Sequence, residues 1–298
     1  MSIPTDHHYL PKFYLHAWAV DGKLVEFSRP YREVVSTSRT PKGTGFQPSL
    51  YSLPGEDDPH RREQIELGIM NHIDGRGAVA YQKLMAGRPQ DLEADQRSAW
   101  ALFVNSLLFR TPARLRWFDE QLRGAEFAFT EDESADDEPL RSTEQPSDAT
   151  GFFKDASDDD LSVARMSLMI DLIASQQLGQ GIFGMVWEVL PLPSLKHGLL
   201  TSDDPIMMSN GMDRPDSFLL LPLGPHHLFV AGSTERAVQA FTSQLPRDLE
   251  RAINTSIAEQ AEQIVIGHHN GHQRFVEARL GKTPRGPGVL GRTTWQCP

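Results

Sequence analysis

Residues 91–109, "DLEADQRSAWALFVNSLLF", decide what kind of fold this chain adopts. Trp100, Phe103, Val104, Leu107 and Leu108 recur at the i, i+3, i+4, i+7, i+8 spacing that lays one apolar stripe along a helix. A stripe this rich in large side chains belongs to a core helix. Pro112 then kinks or ends it, because proline lacks the N–H that a helix interior uses. On either side the helical texture continues. Residues 60–87 place Ile65, Ile69, His72 and Ile73 on one face, with Gly75 and Gly77 weakening the middle, and 113–129 resume helical spacing. Residues 158–179 open with three acids at the end where a helix N-terminus favours negative charge.

Outside this helical middle the pattern changes. Near the start, "KFYLHAWAV" (12–20) reads as a short helix with Pro11 at its first turn. "KLVEFSR" (23–29), "EVVSTSRT" (33–40) and "SLYSL" (49–53) read as extended pieces. After residue 183 come short apolar runs punctuated by Gly, Pro and Asp: "FGMVWEVLPLP", "HGLLTS", "PIMMS", "SFLLLPLG" and "HHLFVAG". Two helices, 234–245 and 247–267, and a Gly/Pro/Arg tail at 281–298 close the chain. The expectation is an α+β fold: a mixed or antiparallel sheet from N-terminal and C-terminal strands, packed with a mostly helical middle, as one domain over 1–298.

Composition narrows the class. The chain has 298 residues, 39% of them hydrophobic and 23% charged, enough to bury a sizeable core. Its single cysteine, Cys297, argues against a disulfide framework, a thiolate zinc site or a cysteine nucleophile, and fits a reducing cytoplasm. No window approaches eighteen apolar residues, so neither a membrane span nor an export signal is expected. The net charge of -11 is local. Residues 131–160 hold twelve acids against Arg141 and Lys154, which leaves the rest near neutrality. Residues 130–150 carry almost no large apolar side chains, so an acidic disordered insertion is expected there.

Two motifs invite a functional reading and do not hold it well. "GQGIFG" (179–184) matches the spacing of a dinucleotide-binding turn, but here a helix precedes it and a strand follows, the reverse of what pyrophosphate binding requires. A helix cap and turn is the simpler reading. "GHHNGH" (267–272) falls at the end of the last long helix, where cap and dipole contacts explain histidines without a metal.

Four motifs in order carry a resemblance: "HHYLPKFYLHAW" (7–18), "SLYSL" (49–53), "LLFRTPAR" (107–114) and "LLTSDDP" (199–205), followed by "LLLPLGP" (219–225). In this order they resemble DUF4238, a bacterial domain family of unknown function. The resemblance implies the fold and a shortlist of residues, not a reaction. Asp204 stands where that pattern has asparagine, which puts in doubt any role that needs a neutral amide there.

The shortlist is His7, His8, Asp203, Asp204, Arg110 and Arg114. His7 and His8 offer neutral imidazole as ligand or base near pH 7, or simply start a helix. Asp203 and Asp204 form ideal turn chemistry, or one side of a hard-cation site. Arg110 and Arg114 would share a face on a continuing helix, as an anion clamp or as partners of structural carboxylates. The sharp reading is a metal-assisted phosphodiester hydrolase of nuclease type. His8, Asp203 and Asp204 would be catalytic, His7, His8 and Asp203 would hold Mg²⁺ or Mn²⁺, and the two arginines would hold an anionic small molecule or nucleic acid. The bland reading is a non-catalytic ligand- or partner-binding module in which the same residues are structural. A hydrolase of another ester or amide lacks a nucleophile signature.

Overall fold

The computed structural model describes residues 5–86, 89–124, 156–209, 211–212 and 214–283. The expected acidic insertion at 130–150 lies outside them, as does all of the expected loose tail at 281–298 after residue 283. The architecture is α+β, and among the described residues all strand pairings are antiparallel.

The chain opens with β1 (Asp6–His8) and α1 (Lys12–Leu15), which runs through a 3-10 turn to Trp18. Pro11 stands at the N-cap of α1. A hairpin of β2 (Leu24–Ser28) and β3 (Val35–Arg39) follows, then β4 (Phe46–Pro48), which pairs with β1. The third extended piece is therefore 46–48 and not 49–53. Ser49 takes φ 52°, in the left-handed region, and that ends the strand.

The helical middle runs from α2 (Pro59–Arg62) through a π-helical turn (Ile65–Met70) into α3 (Asn71–Met85), then α4 (Ala94–Phe109), α5 (Pro112–Gly124), α6 (Asp158–Ile173) and α7 (Gln176–Gly184). A capping box between Glu93 and Gln96 starts α4. Its predicted stripe is buried throughout. Gly77 has a packing reason. A Cβ there would lie 2.9 Å from Phe103 Cγ, so the glycine lets α3 close on α4. The π turn widens the helix by about one residue per turn and shifts the buried face. Glu66 is carried inward and His72 outward, contrary to the expected face.

Strands return with β5 (Val186–Pro191), the two-residue β6 (Thr201–Ser202) and β7 (Met207–Met208), β8 (Phe218–Gly224) and β9 (His227–Gly232). Helices α8 (Glu235–Thr242) and α9 (Pro246–Gln260) lead to β10 (Ile264–Gly267), and α10 (Gln273–Glu277) follows. The last long helix thus ends seven residues earlier than its pattern implied. Ile264, Val265 and Ile266 form a buried central strand instead. One sheet, in the order β3-β2-β10-β6, joins N-terminal to C-terminal strands. A second, β5-β9-β8-β7, is wholly C-terminal. Helix α4 packs on the second sheet, with Trp100 and Trp187 each edge-on to Phe229 of β9. Among the described residues no helix is long and apolar enough to cross a membrane.

Candidate functional site

Adjacent residues on a strand face opposite ways, and β1 uses this to separate its histidines. His7 is fully buried. Its Nδ1 accepts the Tyr51 N–H at 2.9 Å, its Nε2 lies 2.8 Å from Glu63 Oε2, and its ring stacks on Tyr51. Ser52 Oγ donates to the same Glu63 carboxylate at 2.8 Å. His8 turns the other way, with Nε2 3.2 Å from the Lys42 carbonyl and its ring against Phe46. Burial, and then the charge of Lys12, hold His8 below the usual imidazole range.

Arg110 and Arg114 do not share a face. Helix α4 ends at Phe109, Arg110 is its C-cap, and Pro112 begins α5, so the helix that would have aligned them is broken. Arg110 is fully buried. Its Nη1 donates to Asp74 Oδ1 at 2.7 Å and its Nε to the Tyr9 carbonyl at 3.0 Å, while its own carbonyl accepts the Tyr51 hydroxyl at 2.6 Å. Arg110 Nη2 and the neighbouring Glu66 Oε2 are buried and find no hydrogen-bond partner among the described residues.

Burial, then the nearby Asp74 carboxylate, push the Glu66 carboxyl up to about 7, with Arg110 opposing. Between the ordinary glutamate pKa of about 4.3 and that value, the folded chain holds a proton that the unfolded chain has lost. The stability from this group is complete below the unfolded pKa and is lost as pH rises through about 7. Glu66→Gln, neutral at every pH, is therefore expected to raise the melting temperature at pH 8 and to change it little at pH 5. An equal shift at both values would remove this assignment.

Asp203 is buried at the end of β6. Its Oδ1 accepts the Glu262 N–H at 3.0 Å, and its Oδ2 accepts those of Gln263 at 2.6 Å and Ile264 at 3.2 Å. Burial pushes its carboxyl up to about 7 against those three bonds. The carboxylate clasps the chain where it enters β10, so its first task is to hold strand to strand. Asp204 is presented by the same turn, with Ser202 Oγ donating to its carbonyl at 2.8 Å and Gln260 Nε2 donating there at 2.6 Å.

A cavity of about 220 Å³ opens beside this turn. Asp203 and Asp204 form one wall, Thr111, Pro112 and Arg114 another, and Tyr9 a third. Arg116, Trp117, Glu120, Gln260 and Glu262 are among its other lining residues, and Arg116 is ion-paired with Glu262. Burial, then the carboxylates of Asp203, Glu26 and Glu262, raise the Tyr9 phenol, so it stays a protonated donor. Two lining side chains carry buried polar atoms with no hydrogen-bond partner among the described residues: Trp117 Nε1, a donor, and Gln260 Oε1, an acceptor.

The shortlist thus divides three ways. Asp203, Asp204 and Arg114 meet at the cavity, Arg110 and His7 belong to a buried network behind it, and His8 sits against the Lys42 turn. Tyr9, Thr111 and Trp117 were missed as site residues. Their signal was position alone, within or beside the motifs. Among the described residues no three His, Cys, Asp or Glu side chains stand where they could share a metal ion. His7, His8 and Asp203 are therefore not brought together as ligands, because each is turned toward a different internal partner.

An α+β chain with a cavity between the segment after its first strand, a proline-started helix and an Asp–Asp turn is the class these features define. The chain belongs to the family described as "Protein of unknown function (DUF4238)", whose model matches residues 6–271. No curated protein and no solved structure matches it.

Proposed function

We propose that this cavity binds a small polar ligand bearing a positively charged group, and that the chain is a ligand-binding module. The observation that supports this best is convergence. Segments from "HHYLP", "RTPAR" and "SDDP", distant in sequence, line one cavity, and two of its lining side chains, Trp117 and Gln260, each keep a buried polar atom with no hydrogen-bond partner among the described residues. The cavity is smaller than the roughly 300–1,000 Å³ usual for drug-sized ligands, which points to a small metabolite. Of its charged lining, Arg116 and Glu262 pair with each other and the Asp203 carboxyl is raised, so Glu120 and Asp204 against Arg114 leave a slightly acidic balance that suits an amine over a polyphosphate.

The metal-assisted hydrolase of phosphodiesters has less support. It asks His7, His8 and Asp203 to share Mg²⁺ or Mn²⁺, but a cation at Asp203 would have to displace three backbone N–H groups. The test is ligand-observed NMR with amino acids, polyamines and mononucleotides. Saturable binding of an amine-bearing compound is expected, weakened about tenfold or more by Asp204→Asn or Glu120→Gln. Binding confined to nucleotides, or Mn²⁺-dependent phosphodiester cleavage lost in Asp203→Asn, would replace this reading with the hydrolase.

A further inference from the structure

"GHHNGH" does not end a helix. It follows β10, so the buried strand fixes where its side chains project, and the turn Asn270–His272 brings the third histidine back beside the second. The loop before β6 adds His197, and the turn before β9 adds His226. The centroids of His197, His269 and His272 form a triangle with sides of 6.0, 5.7 and 5.2 Å. His268 packs 4.4 Å from His269, and His226 lies 5.9 Å from His268.

That spacing has a chemical meaning. With a Zn–N bond of about 2.0–2.1 Å, the centre of a bound imidazole lies roughly 3 Å from the ion, so two rings on one tetrahedral ion stand about 5 Å apart. The triangle is within about an ångström of this. His269 Nδ1 accepts the Gly271 N–H at 2.9 Å, so its lone pair is engaged there and reaches an ion only if that bond opens as the ring turns. His272 Nε2 is 2.8 Å from the His197 carbonyl, which leaves Nδ1. Such an outer hydrogen bond fixes the tautomer of a ligating histidine. His268 Nδ1 and His226 Nδ1 are buried and find no partner among the described residues. Gly271 makes room for this packing, since a Cβ there would lie 2.7 Å from the His269 ring.

We propose that His197, His269 and His272, with His268 beside them, are a binding site for a divalent transition cation of the zinc class. Imidazole donors without thiolate select zinc, copper or nickel over magnesium or manganese. The rings of His269 and His272 are stacked at 10°, and no three ligands yet converge, so binding requires one of these rings to turn. His197 is exposed and free to follow. A bound ion would tie the loop before β6 to the turn after β10.

The experiment uses the full chain without an affinity tag, stripped with EDTA and titrated with Co²⁺ and then Zn²⁺. One equivalent of Co²⁺ should give the intense visible absorption of a four-coordinate nitrogen site, and Zn²⁺ should displace it and raise the melting temperature. His197→Ala, on an exposed side chain, and His269→Asn, which keeps an acceptor for the Gly271 N–H, should each weaken binding roughly tenfold or more. His16→Ala, an exposed histidine elsewhere, should leave it unchanged. Circular dichroism checks that the variants fold. The site is rejected if no saturable binding is seen, if both cluster variants bind like the parent chain, or if His16→Ala weakens binding equally.

Discussion

Arg110→Met is expected to lower the stability of the fold by about 3–5 kcal/mol, the range seen when one partner of a buried ion pair is removed. Methionine fills much of the volume, so the loss comes mainly from what the guanidinium leaves behind. Asp74, its side chain 22% exposed, would lose the donor 2.7 Å away, and the Tyr9 carbonyl would lose its Nε–H. Burial already raises the Asp74 carboxyl above the usual carboxylate range, with Arg110 opposing, so loss of Arg110 would raise it further. Arg110→Lys keeps the charge but lacks the planar fork that reaches both partners, so an intermediate loss is expected. Adding Asp74→Asn to Arg110→Met should recover part of the loss, because no charge is then left unpaired. Urea unfolding of the parent, Arg110→Met, Asp74→Asn and the double variant completes the cycle. A loss below about 1 kcal/mol for Arg110→Met would mean that water reaches this network and that the pair is not structural.

That network also explains which part of the site was legible in the sequence. Three of the motifs contribute residues to one cavity, and ionisable residues beside proline and apolar runs are rare unless something pairs with them. They could not say which side chain of a segment faces the cavity. In "HHYLP" it is Tyr9 and neither histidine, since strand alternation sends His7 to Glu63 and His8 to Lys42. In "RTPAR" Thr111 to Arg114 line it and Arg110 does not, because Pro112 restarts the helix and Arg110 pairs with Asp74. Partners such as Glu63, Glu66 and Asp74 were illegible. The π-helical turn at Ile65–Met70, which fixes the inward face, leaves no periodic mark in the sequence.

The fold was legible where periodicity was long. The α4 stripe and the β8–β9 hairpin follow directly from spacing and turn residues. Two-residue strands such as β6 and β7 have no period to read, and only pairing with β10 and β8 defines them. β10 was hidden because the amphipathic pattern of α9 runs straight into it. The run Ile264–Val265–Ile266 was the available signal, since consecutive β-branched residues favour a buried strand over a helix end. Missing that strand also misplaced "GHHNGH", whose histidines depend on a strand for their positions.

The α4 stripe carries the second large effect. Trp100 is fully buried, with Phe103 at 5.0 Å, Phe229 at 5.7 Å and Tyr81 at 6.2 Å between ring centroids. It joins α4 to α3 on one side and to the second sheet on the other. Trp100→Ala is expected to cost about 3–5 kcal/mol, transfer and cavity terms together. Neighbouring rings cannot collapse into the space, because Phe103 is already held against Gly77. Trp100→Phe separates volume from polarity. The Trp100 indole N–H is buried and finds no hydrogen-bond partner among the described residues, so phenylalanine removes an uncompensated donor along with part of the ring. Its cost should therefore be well below that of alanine, about 1–2 kcal/mol, and two-state urea unfolding resolves the difference. Equal losses for the two variants would show that the indole N–H is satisfied after all. A loss below about 1 kcal/mol for Trp100→Ala would mean that the stripe faces out of the core.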